Sequence, residues 1–169
     1  VNEKVYSGAV VGLGLTGNFK MGIGVKHGWV AIGEPMKVTK SSGAVIHEIN
    51  NAPAVKIYED YFGEEEAKIL RTEALARLAI TYPLGMKVPG SDELLIRDPI
   101  TVDEHGSITC GAEIPEGSEV RLMIGSREEA VKVAKVAAEN AVAQLEGCVP
   151  KAVIIFNCIA RNKLFGNKS

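Results

Sequence analysis

The hydrophobic and polar positions change period several times along the chain, and each change predicts an element. Residues 93–125 carry the clearest pattern. Leu94-Leu95-Ile96 to Thr101-Val102 is an apolar, β-branched run, and Asp103-Glu104-His105-Gly106 supplies a turn after it. Ser107 to Cys110 reads as a second strand. Pro115-Glu116-Gly117-Ser118 turns the chain again, and residues 119–124 alternate polar and apolar side chains as a half-buried strand does. Both connections are short, so the three strands are expected to form an antiparallel meander. Pro99 has no N–H to give to a ladder, which places it on an edge or at a bulge.

Upstream, residues 5–15 and 19–31 are apolar and glycine-rich, and Thr16-Gly17-Asn18 between them predicts a β-hairpin. Gly12 and Gly14 would then lie near Gly22 and Gly24, leaving a patch almost without side chains. That patch reads either as bulges and tight bending, or as the close approach of a ligand or another backbone. Gly33-Glu34-Pro35 reads as a turn, with short strands at 36–40 and 44–49 joined at Ser41-Ser42-Gly43. Pro53 suits the start of a short helix that runs to about Phe62 and breaks at Gly63. Glu64-Glu65-Glu66 opens a second helix, with Ala67, Leu70, Ala74 and Leu78 on one face.

Ser126 and Glu129 form a capping box ahead of a third helix, whose Ala130, Ala134, Ala137, Ala141 and Leu145 share a face. Residues 152–158 are apolar on both faces and predict a buried strand. Together these elements specify an α+β fold: an antiparallel sheet made of a hairpin, a three-stranded meander and a buried strand, with helices packed on it.

Composition narrows the classes. With 169 residues, 46% hydrophobic and 24% charged, the chain is one ordinary domain or two small lobes sharing a core. A net charge of -2 gives no steering toward nucleic acid or an acidic membrane. No apolar run approaches the roughly 18 residues a membrane helix needs. Cys110, Cys148 and Cys158 are odd in number and widely spaced, so neither a disulfide framework nor a metal site is expected. A reducing, cytoplasmic setting fits them. Gly12-Leu13-Gly14-Leu15-Thr16-Gly17 matches a dinucleotide fingerprint literally, yet no helix follows it to receive a pyrophosphate. No cofactor is expected. Val1 opens directly into a strand-like segment, so the chain is expected to be a piece of something longer.

Candidate chemistry gathers at strand ends. Cys158 follows Asn157 at the end of the 152–158 run, where ligand groups collect in mixed folds. Arg161 stands three residues on, close enough to lower a thiol pKa. A catalytic thiol also needs a base, and His27, His47 and His105 sit in no nucleophile motif. Structural packing, ligand contact and nucleophile therefore all stand as readings of Cys158. Arg97 interrupts an apolar strand and Arg161 follows one. Both suit two-pronged recognition of a carboxylate, or an ordinary ion pair with Asp98 or Glu113. His27 and Trp29 offer an aromatic wall for a ligand, or plain core packing.

Three stretches resemble the FIST family: HGWVAIGEPMKVTKSSGAVIHEINNAPAVKIY (residues 27–58), ELLIRDPITVDEHGSITCGAEIPEGSEVRLM and AVIIFNCIAR. The first is similar to the family's junction between its N-terminal and C-terminal parts, the second to the core of the C-terminal part, the third to its strand ending in Cys-x-x-Arg. The resemblance implies residues 1–51 as the end of the N-type region and 52–169 as a C-type region truncated at its C-terminal end. It also implies a small-ligand-binding sensory domain of an intracellular signalling protein, feeding a fused or associated output domain. Amino acids and other small carboxylates are the candidate ligands. Arg97, Asn157, Cys158, Arg161, His27 and Trp29 are the candidate ligand-binding residues, with no catalytic group, metal or cofactor. A thiol-dependent enzyme using Cys158 and a structural or assembly module, self-associating through a sheet edge, are the alternatives.

Overall fold

A computed structural model describes residues 3–63 and 81–166. The sheet is organised around one long strand, β1 (Trp29–Ser42). Its first half pairs antiparallel with β8 (Glu119–Gly125), from Trp29 opposite Gly125 to Lys37 opposite Glu119. Its second half pairs with β2 (Val45–Ile49), from Val38 opposite Ile49 to Ser42 opposite Val45. The register slips between Ile32 and Met36, with β8 paired on both sides of the slip, and β2 takes over from Val38. Gly33-Glu34-Pro35 is therefore a bulge inside a continuous strand, where the sequence reads as a turn. Gly33 adopts φ +70, a conformation side chains disfavour, and Pro35 has no N–H to leave unpaired.

Around β1 and β2 the remaining strands are β3 (Ala52–Pro53), β4 (Leu84–Met86), β5 (Leu95–Arg97), β6 (Pro99–Val102) and β7 (Ile108–Cys110). The order across the sheet is β5-β4-β8-β1-β2-β7-β6, every pair antiparallel, with β3 beside β2. Asn50 and Asn51, at φ 51 and 61, make the two-residue turn that β2 and β3 need. Asp103 closes the β6–β7 turn by accepting from the N–H groups of His105 (2.9 Å) and Ser107 (2.8 Å). Pro99 begins the outermost strand, at a register slip, so both expectations for it hold.

The α+β class with an antiparallel sheet is as the sequence implies, but several local expectations are corrected, among them Pro53, which ends β3 ahead of a helix that begins at Lys56. The meander does not run in order: residues 94–102 divide into β5 and β6 at opposite ends of the strand order, and both β2 and β1 lie between β7 and β8. Residues 5–28 form no strands, so the glycine-rich hairpin is absent. Residues 152–158 form no strand either and are exposed. A strand with two apolar faces needs a ladder partner and cover on both sides, and none of the described residues supplies them.

Alternation along the strands sorts the core into two layers. Val38, Ile46, Leu84, Ile108, Val120 and Leu122 face one way and pack with α1 (Lys56–Phe62) through Ile57 and Tyr58. Tyr58 is fully enclosed, and its hydroxyl donates to the Tyr82 carbonyl at 2.9 Å. Trp29 and Met123 face the other way and pack with Ala160 of α3 (Ile159–Phe165). Above this second layer lies α2 (Arg127–Ala143), capped as expected by Ser126, whose hydroxyl accepts from Glu129 N at 3.1 Å. Ala130 is buried, whereas Ala134, on the same expected face, is exposed. The helix expected from Glu64 lies outside the described residues.

Residues 19–26 lie along α2. A Cβ at Gly22 would overlap the Ala141 carbonyl, and one at Gly24 the Ala137 carbonyl. The glycines thus serve the close approach of two backbones, one of the two roles the sequence allows them. The Gln144 amide brackets Ile23, accepting from its N–H at 3.3 Å and donating to its carbonyl at 2.7 Å.

Candidate functional site

The second layer brings three of the six candidate residues to one place. Gly28 runs against the first turn of α2, so close that a Cβ there would stand 3.1 Å from Ala130 Cα. On one side of this contact His27 and Trp29 lie two residues apart, their ring centroids 6.4 Å from each other. From α3, Arg161 reaches the same turn and donates Nη2–H to the Ala130 carbonyl at 2.7 Å. Trp29 forms the floor with Met123, Ala160 and Leu94. Its indole lies across Gly125, where a Cβ would come within 2.6 Å of Nε1.

The hydrogen bonds define the chemistry. His27 Nδ1 accepts from the Trp29 N–H at 3.0 Å, so that nitrogen carries no proton. Burial lowers the His27 pKa, opposed by the Glu93 carboxylate and the Leu94 backbone, and assisted by the positive charges of Lys26 and Arg161. The ring is accordingly neutral near pH 7, with its proton on Nε2. His27 Nε2 and Arg161 Nε are both buried and neither meets a well-aligned partner at hydrogen-bond distance, the Leu94 backbone being the nearest group to act on the imidazole. Each is a donor. One of the two belongs to a guanidinium and carries a positive charge.

The other three candidates lie elsewhere. Asn157 and Cys158 are exposed in the stretch leading into α3. Arg97 sits on β5 and turns to backbone, donating Nε–H to the Glu113 carbonyl (2.8 Å) and Nη1–H to the Ile96 carbonyl (3.2 Å). The histidine nitrogens make their contacts away from Cys158. His47 Nδ1 meets Ser107 Oγ at 3.3 Å, and exposed His105 faces Glu104 at 3.6 Å. Burial pushes the Cys110 thiol up to about 12.

Sequence reasoning missed the charges that frame His27. Lys26 pairs with Glu93, from the segment before β5. The available signal was a Lys-His pair interrupting an otherwise apolar, glycine-rich run. It also missed the Ala130 carbonyl as the anchor of Arg161, which no side-chain pattern announces. Among the described residues, no three His, Cys, Asp or Glu side chains are placed to share a metal ion. No helix among them is long and apolar enough to cross a membrane.

Two proteins of Mycobacterium tuberculosis are similar to this chain along nearly its whole length. They are "Uncharacterized protein MT0656" (strain CDC 1551 / Oshkosh) and "Uncharacterized protein Rv0628c" (strain ATCC 25618 / H37Rv). Each is 30% identical over 171 residues, covering 98% of this chain. The chain spans 43% of the length of each relative. No solved structure matches it significantly. Family models match end to end, the FIST N domain at residues 1–52 and the FIST C domain at 54–169, with the eight-stranded sheet drawing strands from both. With the Gly-Trp pair at the start of β1 and the Cys-x-x-Arg leading into α3, the chain belongs to the FIST family.

Proposed function

We propose that this chain forms the ligand-binding part of a noncatalytic, cytoplasmic sensory protein whose ligand is a small carboxylate, an amino acid being the first choice. FIST domains are small-ligand sensory domains of signal-transduction proteins. The observation that carries the finer reading is the pair of buried donors, His27 Nε2–H and Arg161 Nε–H, left without well-aligned acceptors beside the Trp29 indole. An unmatched buried donor costs about 1–3 kcal/mol, which an incoming oxygen removes. In this reading the guanidinium supplies the charge, the neutral imidazole a second hydrogen bond, and Trp29 an apolar wall. Binding is then read by a fused or associated output domain.

Trp29 is the sole tryptophan of the chain, so its fluorescence reports the site directly. Titration with a panel of amino acids and short organic acids is expected to give a saturable change, confirmed by calorimetry. Arg161→Lys removes the planar fork and is expected to weaken binding about tenfold to over a hundredfold, matching a charged hydrogen bond of about 1.5–3 kcal/mol. Arg97→Lys serves as the comparator and should leave affinity unchanged. A flat titration with every acid, or equal affinity in Arg161→Lys, contradicts the reading.

A further inference from the structure

Two stretches of the molecule carry apolar side chains that are largely open to solvent. Along residues 5–25, Val5 and Val10 are 99% exposed, and Leu13, Phe19, Met21, Ile23 and Val25 are also open to solvent. Residues 149–159 behave alike, with Ile155 81% and Phe156 94% exposed. Neither stretch is a scatter of single surface residues, which would need no explanation. No charged residue occurs between Val5 and Phe19, or between Ala152 and Ala160. The accessible surface of the chain is 11586 Å², against about 8,000 Å² expected for a folded monomer of its 18.0 kDa mass. Part of that surplus lies here.

The pattern of the first stretch identifies the kind of cover it fits. From Phe19 to Lys26 the chain keeps the two-residue period of a strand. Gly22 and Gly24 face α2, and Lys20 pairs with Glu146 at the end of that helix. The intervening Phe19, Met21, Ile23 and Val25 form a row pointing away. One face is thus sealed by the helix and the other is a bare apolar ladder, as on an interior strand awaiting neighbours. In the second stretch, consecutive Val153, Ile154, Ile155 and Phe156 are all exposed, so both faces lack cover.

We propose that residues 5–25 and 152–157 are interior strands of a larger sheet, completed by apolar strands from further polypeptide of a longer FIST protein. The two stretches hold a single charge, Lys20, which is paired with Glu146, and this fits burial against apolar side chains. Bare backbone beside an apolar row is the surface that strand addition uses. Length outside the match is ample: the mycobacterial relatives extend over more than twice the span this chain matches. The inference stands on exposure and alternation, independently of the ligand site.

Hydrogen–deuterium exchange of this chain alone and of the full-length mycobacterial relative tests it. In the isolated chain, amides of residues 5–19 and 152–157 should exchange within about tenfold of unstructured rates, while those of β1 and β8 are protected. In the full-length relative, the aligned stretches should be protected at least about a hundredfold. Aligned stretches that exchange freely in the relative would overturn the proposal. So would protection in the isolated chain accompanied by a dimeric mass, which would put a second copy on this face.

Discussion

Among the described residues, His27 and Arg161 differ from the other polar groups in having a buried side-chain nitrogen with no well-aligned partner at hydrogen-bond distance. The contrast with Arg97 is instructive, because both arginines follow or interrupt an apolar run and sequence treats them alike. Arg97 has Glu113 and Ile96 carbonyls for its Nε and Nη1, whereas Arg161 meets a carbonyl only through Nη2. His27 also links the site to pH. Its folded pKa lies below the ordinary 6.5, so below pH 6.5 the unfolded chain takes up protons the folded chain refuses. Its stabilising contribution is present above pH 6.5 and lost as pH falls through the folded value. Urea midpoints should therefore drop on going from pH 7.5 to below 6.5, and drop less in His27→Gln. The cysteines give a second check. Cys148 and Cys158 are exposed and Cys110 is buried, its thiol held at about 12. A thiol reagent at pH 8 should modify the two exposed groups in the native chain and reach Cys110 only on unfolding.

At the scale of elements, the seam between residues 19–26 and α2 depends on the absence of two side chains. Gly24→Ala would drive a methyl into the Ala137 carbonyl, and relief requires a backbone shift costing about 1–3 kcal/mol. Gly12→Ala meets open space and should change stability by no more than about 0.5 kcal/mol. Ser126→Ala removes the cap of α2 at a cost of about 1 kcal/mol. Urea denaturation of the three variants ranks them. The capping box, the stop of α1 at Gly63 and the β6–β7 turn were legible in sequence because each is specified by residues within a few positions of one another. The bulge at Gly33-Glu34-Pro35 was not, since a positive-φ glycine followed by proline also spells a turn. Only the pairing of β1 with β8 both before and after these three residues distinguishes the two.

For the molecule as a whole, the α+β class and the FIST resemblance were readable, while the order of strands and the composition of the site were not. Sheet order depends on which distant strand arrives beside β1, and β8 begins 77 residues after β1 ends. The site has the same origin. Trp29 and Arg161 meet because β8 carries Met123 against Trp29 and the chain then returns through α2 and α3 over that layer. Residues 152–158 kept their strand-like pattern in sequence but find no ladder partner among the described residues, so pattern alone misplaced them. The central claim, that two inward donors receive a small carboxylate, is tested most directly by long-range proton–nitrogen NMR of the His27 ring during titration with amino acids and short organic acids. The expected spectrum at pH 7 shows a neutral ring protonated on Nε2, whose Nε2 signal shifts saturably with ligand in the native chain and stays fixed in Arg161→Lys. A ring protonated on Nδ1, or an Nε2 signal that no acid moves, would contradict it.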